Sequence, residues 1–131
     1  MKELAFRLHK GDDLKKSLIA ACKESSAVIL SGVGCVDQLV IRLAGAKDYF
    51  ESREDYEIVS LTGTVSNGKA HIHGSFSDVK GNCVGGHLCE GCIVNTTCEV
   101  VLGILEEYDS FREYDEKTGY EEIVFRRKVN D

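Results

Sequence analysis

The chain has no proline among its 131 residues. Proline's locked φ is therefore unavailable, and every tight turn must be built from glycine, asparagine or aspartate. Long apolar runs are missing as well. Stretches such as "AVIL" and "EVVLGIL" fall far short of the roughly 20 residues that a membrane-spanning helix needs. The N-terminal "MKELAFRLHKGDD" has neither the apolar centre nor the small-residue cleavage site of an export signal, so a cytoplasmic location is expected. Basic charge is scarce, with 16 Lys+Arg against 22 Asp+Glu and a net charge of −6. The one basic cluster, "FRRK" at 125–128, reads as a strand edge or solubilising tail. An acidic surface repels phosphate backbones, which weighs against direct binding of nucleic acid. No repeat, low-complexity tract or linker divides the chain, so residues 1–131 are expected to form one domain.

What is present looks globular: 43% hydrophobic and 29% charged residues. Six cysteines would suit a disulfide framework in a small secreted protein. With no export signal and a full-sized core, reduced thiols that mostly fill core positions are expected instead. Residues 13–24 read as one amphipathic helix, with Asp12 or Asp13 as N-cap and Leu14, Leu18, Ala21 and Cys22 at helical spacing. "AVILSGVGCV" reads as a buried strand running into glycines, and "DQLVIRLA" fits strand or helix. "YEIVSLTGTV" alternates, with Val59, Leu61 and Val65 on one face and Ser60, Thr62 and Thr64 on the other. "GCIVNTTCEVVLGIL" reads as a core strand, and "YDEKTGYEEIVFRR" as a hairpin turning at "EKTG". Strands predominate, so the fold class is α+β and mostly antiparallel.

Three of the four histidines fall in "HIHGSFSDVKGNCVGGHLCEGC", residues 71–92. His71 and His73 leave the same face of a strand, with Cα atoms about 6.5–7 Å apart. If "DVKGN" is the turn and Ser77 pairs with Cys83, His87 lands opposite His73 and Cys89 opposite His71. A one-residue slip would send His87 to the other face, and Gly85 and Gly86 invite a bulge. Three neutral imidazoles with one open position suit Zn²⁺, the pattern of catalytic rather than closed structural sites. Polar residues on a solvated sheet face would look the same. "CEGC" lacks a second cysteine pair at zinc-finger spacing and any helix start for a redox motif. His9 reads as an isolated surface residue, and "SGVGC" lacks the lysine of a phosphate loop.

"RLHKGDDL", "VILSGVGCVDQLVIRL", "YEIVSLTGTV", "HIHGSFSD", "GNCVGGHLCEGCIV" and "TTCEVVL", in this order, resemble the PPC (plants and prokaryotes conserved) domain from about residue 4 to residue 127. The resemblance implies a homotrimeric α+β fold, an antiparallel sheet flanked by helices. In plants the domain follows an AT-hook that grips DNA; prokaryotic members carry a DNA-binding label. No Arg-Gly-Arg-Pro hook stands in this chain. The PPC fold also resembles acetolactate decarboxylase, which binds zinc through an H-x-H…H arrangement matched here by His71, His73 and His87. Glu99 matches the approximate place of an acidic active-site residue. Two readings follow. One is a stand-alone prokaryotic-type PPC protein, a cytoplasmic trimeric metal-binding assembly or regulatory module that reaches DNA, if at all, through a protein partner. The other is a small zinc enzyme, a lyase or hydrolase acting on a small carbonyl or carboxylate ligand. Glu99 would then be general acid or base, and Arg42 would hold a carboxylate. Otherwise Glu99 is a buried carboxylate satisfied by local donors, and Arg42 belongs to a surface or subunit-interface ion pair. Partner binding needs neither a cleft nor an open metal position; an enzyme needs both.

Overall fold

The computed structural model describes residues 1–23 and 25–129. The chain begins with β1 (Lys2–His9) and then α1 (Leu14–Ala21), followed by β2 (Ser26–Arg42), β3 (Tyr49–Ser52), β4 (Tyr56–Ser66) and β5 (Lys69–Ser77). β6 (Cys83–Leu88), β7 (Ile93–Ile104), β8 (Tyr108–Asp115) and β9 (Tyr120–Arg127) complete it. Seven strands make one sheet in the order β1-β7-β2-β4-β5-β6, with β3 on the side of β2. Every pairing is antiparallel. The far end of β2 also pairs with β6, Ile41 with Leu88 and Arg42 with His87, so strands β2, β4, β5 and β6 curl into a ring. β8 and β9 form a separate two-stranded sheet.

The sheet is mostly antiparallel, as its alternating pattern implies, but it is not flanked by helices. Among the described residues α1 is the one α-helix, and it spans 8 residues. It is also shorter than the helix expected over 13–24, of which Glu24 lies outside the described residues. The Asp13 carboxylate caps the helix by accepting from the Lys16 N–H at 3.0 Å. Leu14 and Leu18 are fully buried, and the helix packs on β4 and β5. "DQLVIRLA" resolves as strand as far as Arg42, where β2 ends after pairing in this stretch with β3, β6 and β7, and Leu43 and Ala44 pass into a turn.

Bulges adjust the alternation. β4 slips register against β5 between Ile58 and Ser60, which turns Val59 out to solvent at 58% exposure while Ile58 and Leu61 stay buried. The expected shared face of Val59, Leu61 and Val65 therefore holds only for the last two. On β5 the alternation is intact: Ile72 and Phe76 are buried, and His71 and His73 are exposed. Each such buried side chain is worth about 1.5–3 kcal/mol of transfer free energy. All six cysteines are free; Cys22, Cys92 and Cys98 are core residues, whereas Cys83 is exposed.

The β8–β9 hairpin turns between Asp115 and Tyr120, at the expected "EKTG", and leans back over the sheet. Ser110 on β8 joins its hydroxyl to those of Ser26 and Ser66, the two buried serines at the paired ends of β2 and β4. Asn67 donates to the Ser110 carbonyl at 2.6 Å. At its open end, "FRRK" stacks Arg126 on Phe111 and Arg127 on Tyr108, and Arg127 also pairs with Glu107.

Candidate metal centre

The β5–β6 hairpin sets the geometry. The Asp78 carboxylate accepts from the N–H groups of Lys80 and Asn82, both at 2.9 Å, and the Asp78 N–H donates to the Asn82 carbonyl. That closed turn pairs Ser77 with Cys83, and the register runs without a slip to His73 opposite His87. The double glycine introduces no bulge. It serves close approach instead: a Cβ at Gly86 would stand 2.6 Å from the Arg42 carbonyl oxygen, so only glycine lets β6 pass between β5 and β2 here. His87 is thereby held between His73 on one side and Arg42 on the other.

The three imidazoles converge. Ring centroids lie 5.2 Å apart for His71–His73, 5.6 Å for His71–His87 and 5.7 Å for His73–His87. One nitrogen of each ring lies within 4.8 Å of the others. His71 and His73 are exposed and His87 is half-buried, its Nδ1 enclosed without a hydrogen-bond partner. Burial lowers the proton affinity of His87 to a pKa of about 4, helped by the positive charges of Arg42 and Lys15. Burial also lowers the pKa of His71, with the His73 ring and the Arg112 guanidinium adding to the effect. At neutral pH these two rings are thus neutral and present lone pairs, the state a divalent transition metal requires. Three ring nitrogens this close to one another fit such an ion.

Two clefts open beside the rings. One, of about 520 Å³, runs along His73 and His87 past Arg42 and the 43–46 turn. The other, of about 610 Å³, lies between His71, His87, Arg42 and the β8–β9 hairpin, which contributes Arg112, Tyr120 and Glu122. Arg42, His87 and Tyr120 line both. Arg42 therefore stands where a ligand of the trio would lie.

Glu99 and Cys89 do not join them. Glu99 sits exposed on β7, opposite Arg7 on β1 and Val33 on β2, and lines neither cleft. It is not the buried carboxylate of the alternative reading either. Cys89 is not opposite His71, because β6 leaves β5 after His87 and turns toward β2, where the Cys89 N–H donates to the Val40 carbonyl at 3.2 Å. Its Sγ approaches the His87 carbonyl at 3.6 Å, outside the convergent group. "CEGC" forms a turn rather than an extended strand, with the Gly91 N–H held by Asp13 and the Cys92 thiol by Val40. Reading the sequence missed Lys15, Arg112, Tyr120 and Glu122, because nothing in local spacing announces that α1 and the last hairpin frame the rings.

These features define an antiparallel β-sheet protein with a three-histidine cluster at the ring of strands. Residues 1–106 match the family model of the Plants and Prokaryotes Conserved domain, and the chain belongs to that family. The structure of a hypothetical protein from Salmonella enterica superposes with a TM-score of 0.93 at 29% identity, covering 98% of this chain and 95% of that one. A metal-containing protein from Archaeoglobus fulgidus superposes with a TM-score of 0.73 at 31% identity, covering 95% and 94%. A candidate DNA-binding protein from Bacteroides thetaiotaomicron gives 0.80 at 26% identity, covering 95% and 91%. In sequence, the bifunctional protein GlmU of Synechococcus sp. strain JA-2-3B'a(2-13) is 35% identical across 100% of this chain. That of strain JA-3-3Ab is 36% identical across 90%. The chain spans only about a fifth of the length of these GlmU relatives, 21% and 20%.

Proposed function

We propose that His71, His73 and His87 would hold a Zn²⁺ ion beside the two clefts, making this PPC protein a metal-dependent module for a small ligand. The observation that carries this reading is the position of the trio: it opens onto two clefts lined by Arg42 rather than onto bare solvent. A purely architectural role needs no such space. When bound, the metal would polarise a ligand oxygen or bring the pKa of a bound water toward 7. Arg42 would orient an acidic group of the ligand. Glu99 lies too far round the sheet to move a proton at the trio of its own chain; within the cleft that role falls to Glu122. The metal-containing description of the Archaeoglobus protein supports the assignment. Metal analysis of untagged protein tests it: about one zinc per chain is expected, and each single His→Ala change should remove most of it. Stoichiometric zinc in all three variants would refute the site.

A second role, assembly, is favoured by the surface. Leu30, Val33 and Val59 leave apolar side chains in solvent, and β1 ends the sheet with an unpaired edge. We infer a cytoplasmic homotrimer that covers these surfaces, with any link to DNA made through a protein partner. The acidic chain supports that indirect route, since three copies would triple a charge of −6.

A further inference from the structure

We propose that the cleft between the histidine trio and the β8–β9 hairpin is a binding site for a small-molecule oxyanion, a carboxylate or a phosphate, held between the guanidinium groups of Arg42 and Arg112. This deepens the small-ligand reading and rests on it for the place of the site, not for the metal in it. Arg112 projects from β8, beyond the span matched to the family model, and lines the same cleft as Arg42, His71 and His87. Its Nε is enclosed and has no hydrogen-bond partner. A guanidinium N–H shielded from water and left unpaired is costly, and an oxyanion accepting a forked pair of bonds removes that cost.

The surrounding charges agree. Among the described residues neither Arg42 nor Arg112 forms an ion pair, whereas Arg127 on the neighbouring strand does. Glu90, Glu121 and Glu122 also line the cleft, but Glu90 is engaged with Lys16 at 3.9 Å. Lys15 and Lys69 line the cleft as well, so with Arg42 and Arg112 four cationic side chains face it. Cations outnumber carboxylates in the cleft on a protein whose net charge is −6, and its volume of about 610 Å³ suits a metabolite rather than a polymer. The hairpin would therefore set which anion enters, independently of the strands that carry the histidines.

The test uses the full untagged chain, loaded with zinc, titrated at low chloride with inorganic phosphate and with malonate. Heat of binding is followed together with the NMR signal of the Arg112 Nε–H. At least one anion should saturate and shift that signal, and the tighter of the two names the ligand's chemistry. Arg112→Met should weaken binding by about tenfold or more. Arg126→Met should leave it unchanged, since Arg126 lies on Phe111 outside the cleft. Zinc content and melting temperature are read on every sample. If Arg112→Met disorders the hairpin, Arg112→Lys decides: it keeps the charge but loses the fork, and parent-like affinity in that variant would overturn the proposal. Equal losses from Arg112→Met and Arg126→Met, or no saturable binding of either anion, would also overturn it. Anion binding that depends on Arg112 in protein that takes up no zinc would sink the metal reading and leave this inference standing.

Discussion

His87 departs furthest from an ordinary histidine, because β6 carries it into the wedge between β5 and β2. Its pKa of about 4 lies below the usual 6.5, so between those values the unfolded chain holds a proton there that the folded chain does not. The stability that His87 contributes is therefore complete above about pH 6.5 and declines as pH falls toward 4. Metal-free protein should accordingly denature at lower urea concentration at pH 5 than at pH 7. His87→Gln should show a smaller difference, and equal slopes would mean that burial of this ring does not control the titration. Cys89→Ser should retain zinc, since its thiol faces the His87 carbonyl rather than the ring nitrogens; loss of zinc in that variant would make the thiolate a ligand. The trio was legible in the sequence because "DVKGN" holds a self-closing aspartate turn and parity then carries His87 to the right face. Two facts that spacing does not encode put Glu99 away from the trio of its own chain and Cys89 away from His71: β7 lies across β2 from the histidine strands, and β6 changes partner after His87.

The elements keep their alternation only where backbone irregularities allow it. Gly63 is the irregularity nearest the site, with φ of +147°, and a Cβ there would stand 2.0 Å from the His71 carbonyl oxygen and 2.8 Å from the Ile72 Cα. Backbone cannot swing away as a flexible side chain can, so Gly63→Ala must push β5 off β4 and displace His71. Denaturation should register a loss of about 2–3 kcal/mol, and zinc affinity should fall with it. Gly68→Ala is the control. Its φ is +79° with nothing near the added carbon, so about 1–2 kcal/mol of local strain is expected and no change in zinc. An equal effect of both substitutions on zinc would separate strand contact from ligand geometry. Bulges explain what the pattern hid: Val59 carries a core-type side chain at the right parity, and one extra residue in β4 reverses it. The helix expected to reach residue 24 stops at Ala21, because Cys22 leaves helical geometry and turns its thiol to the Ser25 carbonyl.

At the scale of the molecule, strand predominance was legible from β-branched runs, whereas the ring closure through β2 and β6 was not, since it depends on one strand of 17 residues meeting different partners along its length. Sedimentation should give three times the 14.4 kDa chain mass, and a monomer at micromolar concentration would count against the trimer. A labelled duplex at physiological salt should bind weakly and without sequence preference; submicromolar affinity of the untagged protein would contradict the indirect route to DNA. The hairpin has a further consequence. β8 and β9 spend their ladder bonds on each other and reach the sheet through Ser110 and Asn67, whereas β5 and β7 are bonded on both sides. Such a pair can open without breaking a rung of the larger sheet. Native-state hydrogen exchange should therefore find the amides of β8–β9 released at lower free energy than those of β5 and β7. The wall of the cleft and the three histidines then belong to different cooperative units, so the cleft can open on the hairpin's clock while the trio keeps its geometry for the lifetime of the sheet.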